Sequence, residues 1–516
     1  MSQGLLFGAD VTVNVDNNVE HQEWLGFGAH YEPLMYSGLG DVLTSAQRTE
    51  ALRQLFEEVG VTTGHFSTGA IEAPASSTLG TFWENRGNDN IDPFNTNANG
   101  FYLGFQNLFK TKIYDQLSAS AKDKWDVIPN FRVNKNRQSW LFAMKGTNYQ
   151  GFLNELAEAA LVTVQDYTNT YGDQPPFALV ANEPHSGNIE IADRSSTPDY
   201  LQTYTDIVKT IGARLVAAGY TTKLVIAAEE TTSISYETAQ AVMNDVQARQ
   251  YVGAIAFHNY PYSGDYSYIP NILNSSGSGS PEAVLLIRRT EMRNLAAQYG
   301  IQLWMNEVSN GYRNYYGASD GVLNNDFRAV RGRSIHIHDE MLYARINAFY
   351  GMNAIWDWVS EQEHFADRED VSTWQYGHGN IIQVDQANNK VNITGIGYAI
   401  GHYARYFGKG AQVVDSNVSD ALVQVTAVRD DADNEMVFVI INNANTNRSA
   451  SINLANIMVS GQVNGIRSTV QVAANDTSTF WVPLTPFAPT ANNQINLTLP
   501  AESVTTIAVP IDGRSN

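Results

Sequence analysis

The sequence predicts an α/β fold: a (β/α)8 barrel over residues 20–394, with a β-sandwich side domain made from residues 395–516 and residues 1–19. Three observations predict it. Short apolar runs alternate with amphipathic segments through the first two thirds of the chain, which is the pattern of a parallel sheet buried on both faces. Helical periodicity then stops, and segments such as "ALVQVTAV", "EMVFVIINN" and "VTTIAVP" alternate at period two between turn residues. The early segment "ADVTVNV" alternates in the same way, so it is expected to join the C-terminal sheet.

The barrel strands are predicted at 24–29, 61–68, 127–131, 177–181, 223–228, 254–257, 302–305 and 354–358. Each is a short apolar run of strand length. Helices are predicted between them. Residues 45–60, "SAQRTEALRQLFEEVG", space their apolar residues helically and end in Gly. Residues 148–172 and 199–219 behave likewise, and residues 281–300 begin with Pro and end with Gly. Eight strands favour a closed barrel over a doubly wound sheet, and no G-x-G-x-x-G follows a first strand.

Composition narrows the function. The chain has 516 residues, no cysteine and a net charge of −21. Disulfides, thiolate metal sites and a cysteine nucleophile are excluded. The negative field opposes non-specific nucleic-acid binding. No apolar run approaches the length of a membrane span. "MSQGLLFGAD" lacks the charged start and apolar stretch of a signal peptide. Either the protein is not exported by that route or its leader is absent from this sequence; a secreted or extracytoplasmic location is expected. The 26 tyrosines and 9 tryptophans suit a protein that stacks flat sugar rings. A carbohydrate substrate is expected, with no cofactor or metal, in a monomer or weak oligomer.

Two apolar runs end in Asn-Glu: "LVANEPHSG" at Asn182-Glu183 and "QLWMNEVSNG" at Asn306-Glu307. In a (β/α)8 barrel the C-terminal ends of the strands line the active site. Glu183 ends the predicted fourth strand and Glu307 the seventh, on opposite sides of the mouth. Two carboxyls about 5 Å apart are what a retaining glycosidase requires. Asn182 can hold a sugar hydroxyl. His258 and Tyr260, in "AIAFHNYPY", end the sixth strand, where Tyr260 can donate a hydrogen bond to Glu307. Trp356 and Trp358, in "AIWDW", are placed at the end of the eighth strand as a stacking floor. Taken singly, each feature is more often a solvated loop residue, a satisfied core histidine or a core tryptophan. Their joint order along the strands points to chemistry.

With these motifs the chain resembles the glycoside hydrolases of clan A, and within it glycoside hydrolase family 30. "WLGFGAHYEP" is similar to that family's opening strand, "NRQSWLFAMKG" to its third-strand loop, and "GYAIGHYARYFGKGAQVV" to its approach to the sandwich. The resemblance implies Glu183 as acid/base and Glu307 as nucleophile; a facing anion and a partly apolar site are expected to raise the Glu183 pKa. Where that family has an Arg at the end of the second strand, this chain reads "VTTGHFSTG": either His65 takes that role, or the motifs align differently there, or the chain belongs to a divergent group with another substrate. Trp140 and Arg132, with Lys135 and Arg137, lie in or beside the third-strand loop. Their charge invites a uronate- or sulfate-bearing substrate, or equally serves to balance nearby acids. The clan A agarases and porphyranases are the alternative family. A non-catalytic carbohydrate-binding protein is the alternative of another class, disfavoured because both glutamates are present. His336 and His338, in "RSIHIHDE", alternate on an expected helix without a clear third ligand or an H-E-x-x-H. A serine hydrolase lacks its G-x-S-x-G.

Overall fold

The computed structural model describes residues 11–31, 43–67, 105–131, 139–185, 197–258, 281–308, 327–351, 354–357, 380–385, 389–473, 476–490 and 494–514. Eight parallel strands close into a barrel: Gly26–His30, Thr63–Ser67, Asp126–Asn130, Phe177–Leu179, Lys223–Glu229, Val252–His258, Gln302–Glu307 and Ala348–Gly351. Ile128, Leu179, Val225, Ala254, Ala256, Trp304, Ala348 and Tyr350 pack as one buried cluster of strand residues. Gly28 makes room for one of them. A Cβ there would lie 2.3 Å from the Tyr350 ring, whose hydroxyl meets Thr63 Oγ1 at 2.9 Å.

The helices form where the periodicity places them, and their caps are local. In helix Tyr149–Tyr171 the Asn148 side chain accepts from the Gly151 N–H, and Gly172 ends the helix at φ 91°. The segment 45–60 divides into an α-helix, Ser45–Arg53, and a wider π turn, Gln54–Val59. Its buried Leu52, Leu55, Phe56 and Val59 face the barrel.

The eighth strand differs from the expectation. It is Ala348–Gly351, pairing with the first and seventh strands. Ile355–Asp357 lies outside the barrel and pairs with Ile382–Asp385. The cause is a nearly continuous apolar run, "INAFYGMNAIW", which marks no boundary. Ala348 and Tyr350 fill the barrel interior, so the earlier half closes it.

Lys390–Ile393 completes that small sheet, and the strands from Gln412 onward form a curled sheet packed as a sandwich, ordered so that the N-terminal strand Val11–Glu23 lies inside it. That strand pairs antiparallel with Gln412–Val418 and parallel with Arg448–Ala455. The latter is a departure from an otherwise antiparallel arrangement. Val11, Val13 and Val15 are buried and alternate with more exposed residues, as a half-buried strand requires. Helix Phe327–Asp339 runs along the seam between barrel and sandwich, and all its residues but Arg328 are buried.

Candidate active site

The fourth barrel strand hydrogen-bonds through Leu179, and the chain then continues beside the fifth. Val180 N–H donates to Val225 O at 3.1 Å and Glu183 N–H donates to Ala228 O at 2.9 Å. Glu183 is held at φ 45°, and Ala227 and Ala228 opposite it at φ 72° and 48°. These are left-handed conformations that cost side-chain-bearing residues on the order of 1–3 kcal/mol each. Such strain persists where neighbouring bonds over-determine it, and it cluster here at the ends of two adjoining strands. Glu307 is the last residue of the seventh strand and sits opposite His258, the last of the sixth, across an irregularity in register.

These three side chains meet. One donor atom each from Glu183, His258 and Glu307 lies within 4.8 Å of the others. His258 is fully buried between the acids. Its Nδ1 is 3.0 Å from Glu183 Oε1, and its Nε2 is 3.8 Å from Glu307 Oε2. The two nitrogens of the ring diverge, one toward each acid. The ring is hydrogen-bonded to Glu183 on one side and faces the charge of Glu307 on the other. Burial by itself would lower the His258 pKa, but the charge of Glu307 and the hydrogen bond and charge of Glu183 outweigh it, and the net shift is upward.

Glu183 departs from the expectation of a raised pKa. Burial pushes it up, but the His258 hydrogen bond, then the charges of His258, His185 and His30, carry it below the ordinary carboxylate value. The expectation considered only the facing anion and an apolar site. It omitted the imidazole that stands between the two acids.

Asn182 precedes Glu183 at the mouth, and its Oδ1 is buried with no hydrogen-bond partner among the described residues. The same holds for both side-chain polar atoms of Asn306. His65 is fully buried on the second strand, with its ring centroid 3.8 Å from that of His30. His30, ending the first strand, is the one that approaches Glu307: its Nε2 is 3.4 Å from Oε2 and 3.1 Å from the Asn306 carbonyl. Trp140 falls in helix Ser139–Thr147 and Trp356 in strand Ile355–Asp357; their side chains lie outside the described residues, so only the strand assignment of Trp356 is corrected. Tyr260, Trp358, Arg132, Lys135 and Arg137 also lie outside the described residues. His336 and His338 do sit on a helix. His336 packs against Phe349 of the barrel, and His338 bonds Thr426 of the sandwich, so they face different domains.

Three groups near the site escaped sequence reasoning: His30, His185 and Glu229. Each had a signal. His30 ends "GFGAH", Glu229 ends "LVIAAE" and His185 follows "NEP". The rule that strand ends line the site applies to all three. None of the three, however, stands in an Asn-Glu, a His-x-Tyr or a tryptophan pair, the patterns that single out the other strand ends.

No family model and no curated protein matches this chain. Solved structures do. A GH30 endoxylanase from Clostridium papyrosolvens is 16% identical, with 97% of this chain and 100% of that one covered at a TM-score of 0.59. The catalytic domain of GH30 xylanase C from Talaromyces cellulolyticus is 16% identical over 96% of this chain and 99% of that one, at 0.63. An endo-β1,6-glucanase is 14% identical over 98% and 95%, at 0.57. The chain thus shares their fold, barrel and sandwich together.

Proposed function

We propose that this chain is a retaining glycoside hydrolase that cleaves a polysaccharide or oligosaccharide by double displacement, with Glu307 as nucleophile and Glu183 as acid/base. The observation that carries this reading is the approach of the two carboxylates to within 4.8 Å across the barrel mouth. Retaining enzymes hold their acids about 5–5.5 Å apart, whereas inverting enzymes need about 6.5–9.5 Å for a water. The fold shared with two GH30 xylanases and an endo-β1,6-glucanase supports the same chemistry.

The roles follow from surroundings. The Glu307 side chain is 7% exposed, that of Glu183 21%. The group that must exchange protons with water is the more exposed one. In the first step Glu307 attacks the anomeric carbon, the bond to the departing sugar oxygen breaks, and that oxygen takes a proton from Glu183. In the second, Glu183 removes a proton from water, the water oxygen attacks the same carbon, and Glu307 leaves. The proton needed first is shared along the hydrogen bond between His258 and Glu183, which explains how an acid with a lowered pKa can still supply it. Asn182, with its buried Oδ1, is assigned to a substrate hydroxyl.

Hydrolysis of a panel containing xylan, glucuronoxylan, β1,6-glucan, agarose and porphyran identifies the sugar and tests whether an anionic polymer is preferred. A polymer substrate also implies an extracytoplasmic site of action, tested by cell fractionation. The mechanism is tested by azide rescue. Glu183→Ala is expected to regain turnover of a dinitrophenyl glycoside and form a glycosyl azide of retained configuration. Rescue of Glu307→Ala instead reverses the roles. Loss of less than about 10-fold in both, well below the roughly 100-fold expected of an acid/base group, removes the site.

A further inference from the structure

We propose that Glu229 and His185 form a positioning pair for Glu183, fixing the segment that carries it and presenting beside it an imidazole of defined tautomer. The inference rests on the acid/base reading of Glu183. Glu229 ends the fifth barrel strand and is fully buried. It is aimed there by an irregularity between Ala227 and Glu229, where the strand skips a residue against its neighbour. Ala227 and Ala228 accommodate the skip in left-handed conformations.

A buried carboxylate accepts hydrogen bonds and donates none. Oε1 of Glu229 receives the Tyr200 hydroxyl and, at 3.2 Å, the Thr238 hydroxyl. Oε2 receives the backbone N–H of His185 at 3.4 Å and faces its Nδ1 at 2.5 Å. Nδ1 therefore carries the proton, and the tautomer is set. His185 stands two residues after Glu183, separated by Pro184. Glu183 N–H is bonded to Ala228 O, and His185 N–H to the Glu229 side chain. The peptide segment bearing the acid/base is thus tied at both ends to the tip of the fifth strand. Hydroxyl groups alone would satisfy the backbone. A buried carboxylate on an imidazole does more, because it also fixes the orientation of the ring close to Glu183. Among the described residues, the other titratable groups facing Glu183 are His258, Glu307 and His30, from the sixth, seventh and first strands.

The test compares phenyl and 2,4-dinitrophenyl glycosides of the sugar that the polymer panel identifies. The first needs its leaving oxygen protonated and the second does not. Glu229→Gln and His185→Asn are each expected to lower kcat on the phenyl glycoside by about 10–100-fold, while kcat on the dinitrophenyl glycoside stays within about 3-fold. In His185→Asn the basic limb of the kcat/KM profile moves to higher pH, because His185 is one of the groups that hold the Glu183 carboxyl below its ordinary value. Tyr200→Phe removes a donor from the other oxygen of Glu229, and should leave the ratio between substrates unchanged. A downfield imidazole proton in the NMR spectrum of the substrate-free protein, absent in both His185→Asn and Glu229→Gln, is expected from the pair itself. Equal losses on both substrates, no loss on either, or no such proton in the wild type overturns the proposal. If Glu183→Ala itself shows no dependence on leaving group, the acid/base reading falls, and that outcome is distinguishable from failure of the pair.

Discussion

The histidines at the barrel mouth and those at the seam with the sandwich are buried to a similar degree but face different partners. At the mouth, His258 and His30 are at most 4% exposed and have Glu307 within 3.8 and 3.4 Å. At the seam, His336, His338 and His402 are at most 5% exposed. His338 meets the Thr426 hydroxyl at 2.9 Å, and His402 meets those of Thr506 and Ser468, both at 2.8 Å. His336 does have a carboxylate, Glu340, at 3.4 Å. But the fully buried Arg289 already binds that carboxylate through its Nε and Nη2. Burial therefore dominates at the seam and lowers the pKa of His336 to about 4, and those of His338 and His402 to about 3. At the mouth, the charge of Glu307 and the hydrogen bond and charge of Glu183 reverse the balance, and His258 moves upward. Burial alone does not decide what a histidine does; the charge and hydrogen bonds set beside the ring decide it too.

Substitutions at the mouth should act on chemistry and those at the seam on stability. The largest effect is expected for Glu307→Ala. With no covalent intermediate possible, kcat should fall by about 10⁴-fold or more, with thermal unfolding little changed, measured by steady-state kinetics beside calorimetry. His258→Asn comes next. It removes the bridge that shares the proton, and kcat should drop by about 10²–10⁴-fold, more on phenyl than on dinitrophenyl glycosides. A loss confined to KM would show that His258 binds substrate instead.

The seam predicts an acid limb of stability. A histidine whose pKa is lowered by folding contributes stability above its unfolded value of about 6.5, and that stability is lost as pH falls toward the folded value. Each such group should remove about 1.4 kcal/mol per pH unit between roughly 6.5 and 4. Asp339, pushed up to about 8 by burial, acts in the opposite direction as pH rises from its unfolded value. Denaturant melts across this range should therefore weaken on acidification, and His402→Asn should flatten the slope by about one proton. A slope unchanged in that variant would place the titration elsewhere. The smallest effect is expected for Thr426→Val, which leaves buried His338 without its hydroxyl. It should cost about 1–3 kcal/mol and leave kcat alone.

Much of this contrast could be seen in the sequence, and part could not. The strand ends bearing Glu183, His258 and Glu307 follow from where apolar runs stop, because a buried strand must end at its rim. The alternating "ADVTVNV" segment placed the N-terminal strand in the sandwich, although nothing in it indicates that Val13 would pair in parallel with Ile452. The eighth strand was misplaced because "INAFYGMNAIW" is apolar throughout, and only the fit of Tyr350 beside Gly28 selects the closing segment. The Glu229–His185 contact joins residues 44 positions apart through an irregular strand end, which no periodicity reports. The lowered pKa of Glu183 was hidden for the same reason. It depends on His258 lying between the acids, a matter of register and not of residue type.

The central claim is that Glu307 attacks the sugar while Glu183 moves the proton. Incubation with a dinitrophenyl 2-deoxy-2-fluoro glycoside of the identified sugar, followed by proteolysis and mass spectrometry, tests it most directly, since the fluorine slows release of any covalent intermediate. The peptide containing Glu307 should carry one added sugar, and Glu307→Gln should abolish the label while Glu183→Ala retains it. A label on the Glu183 peptide, or turnover with inverted configuration and no label at all, would contradict the account.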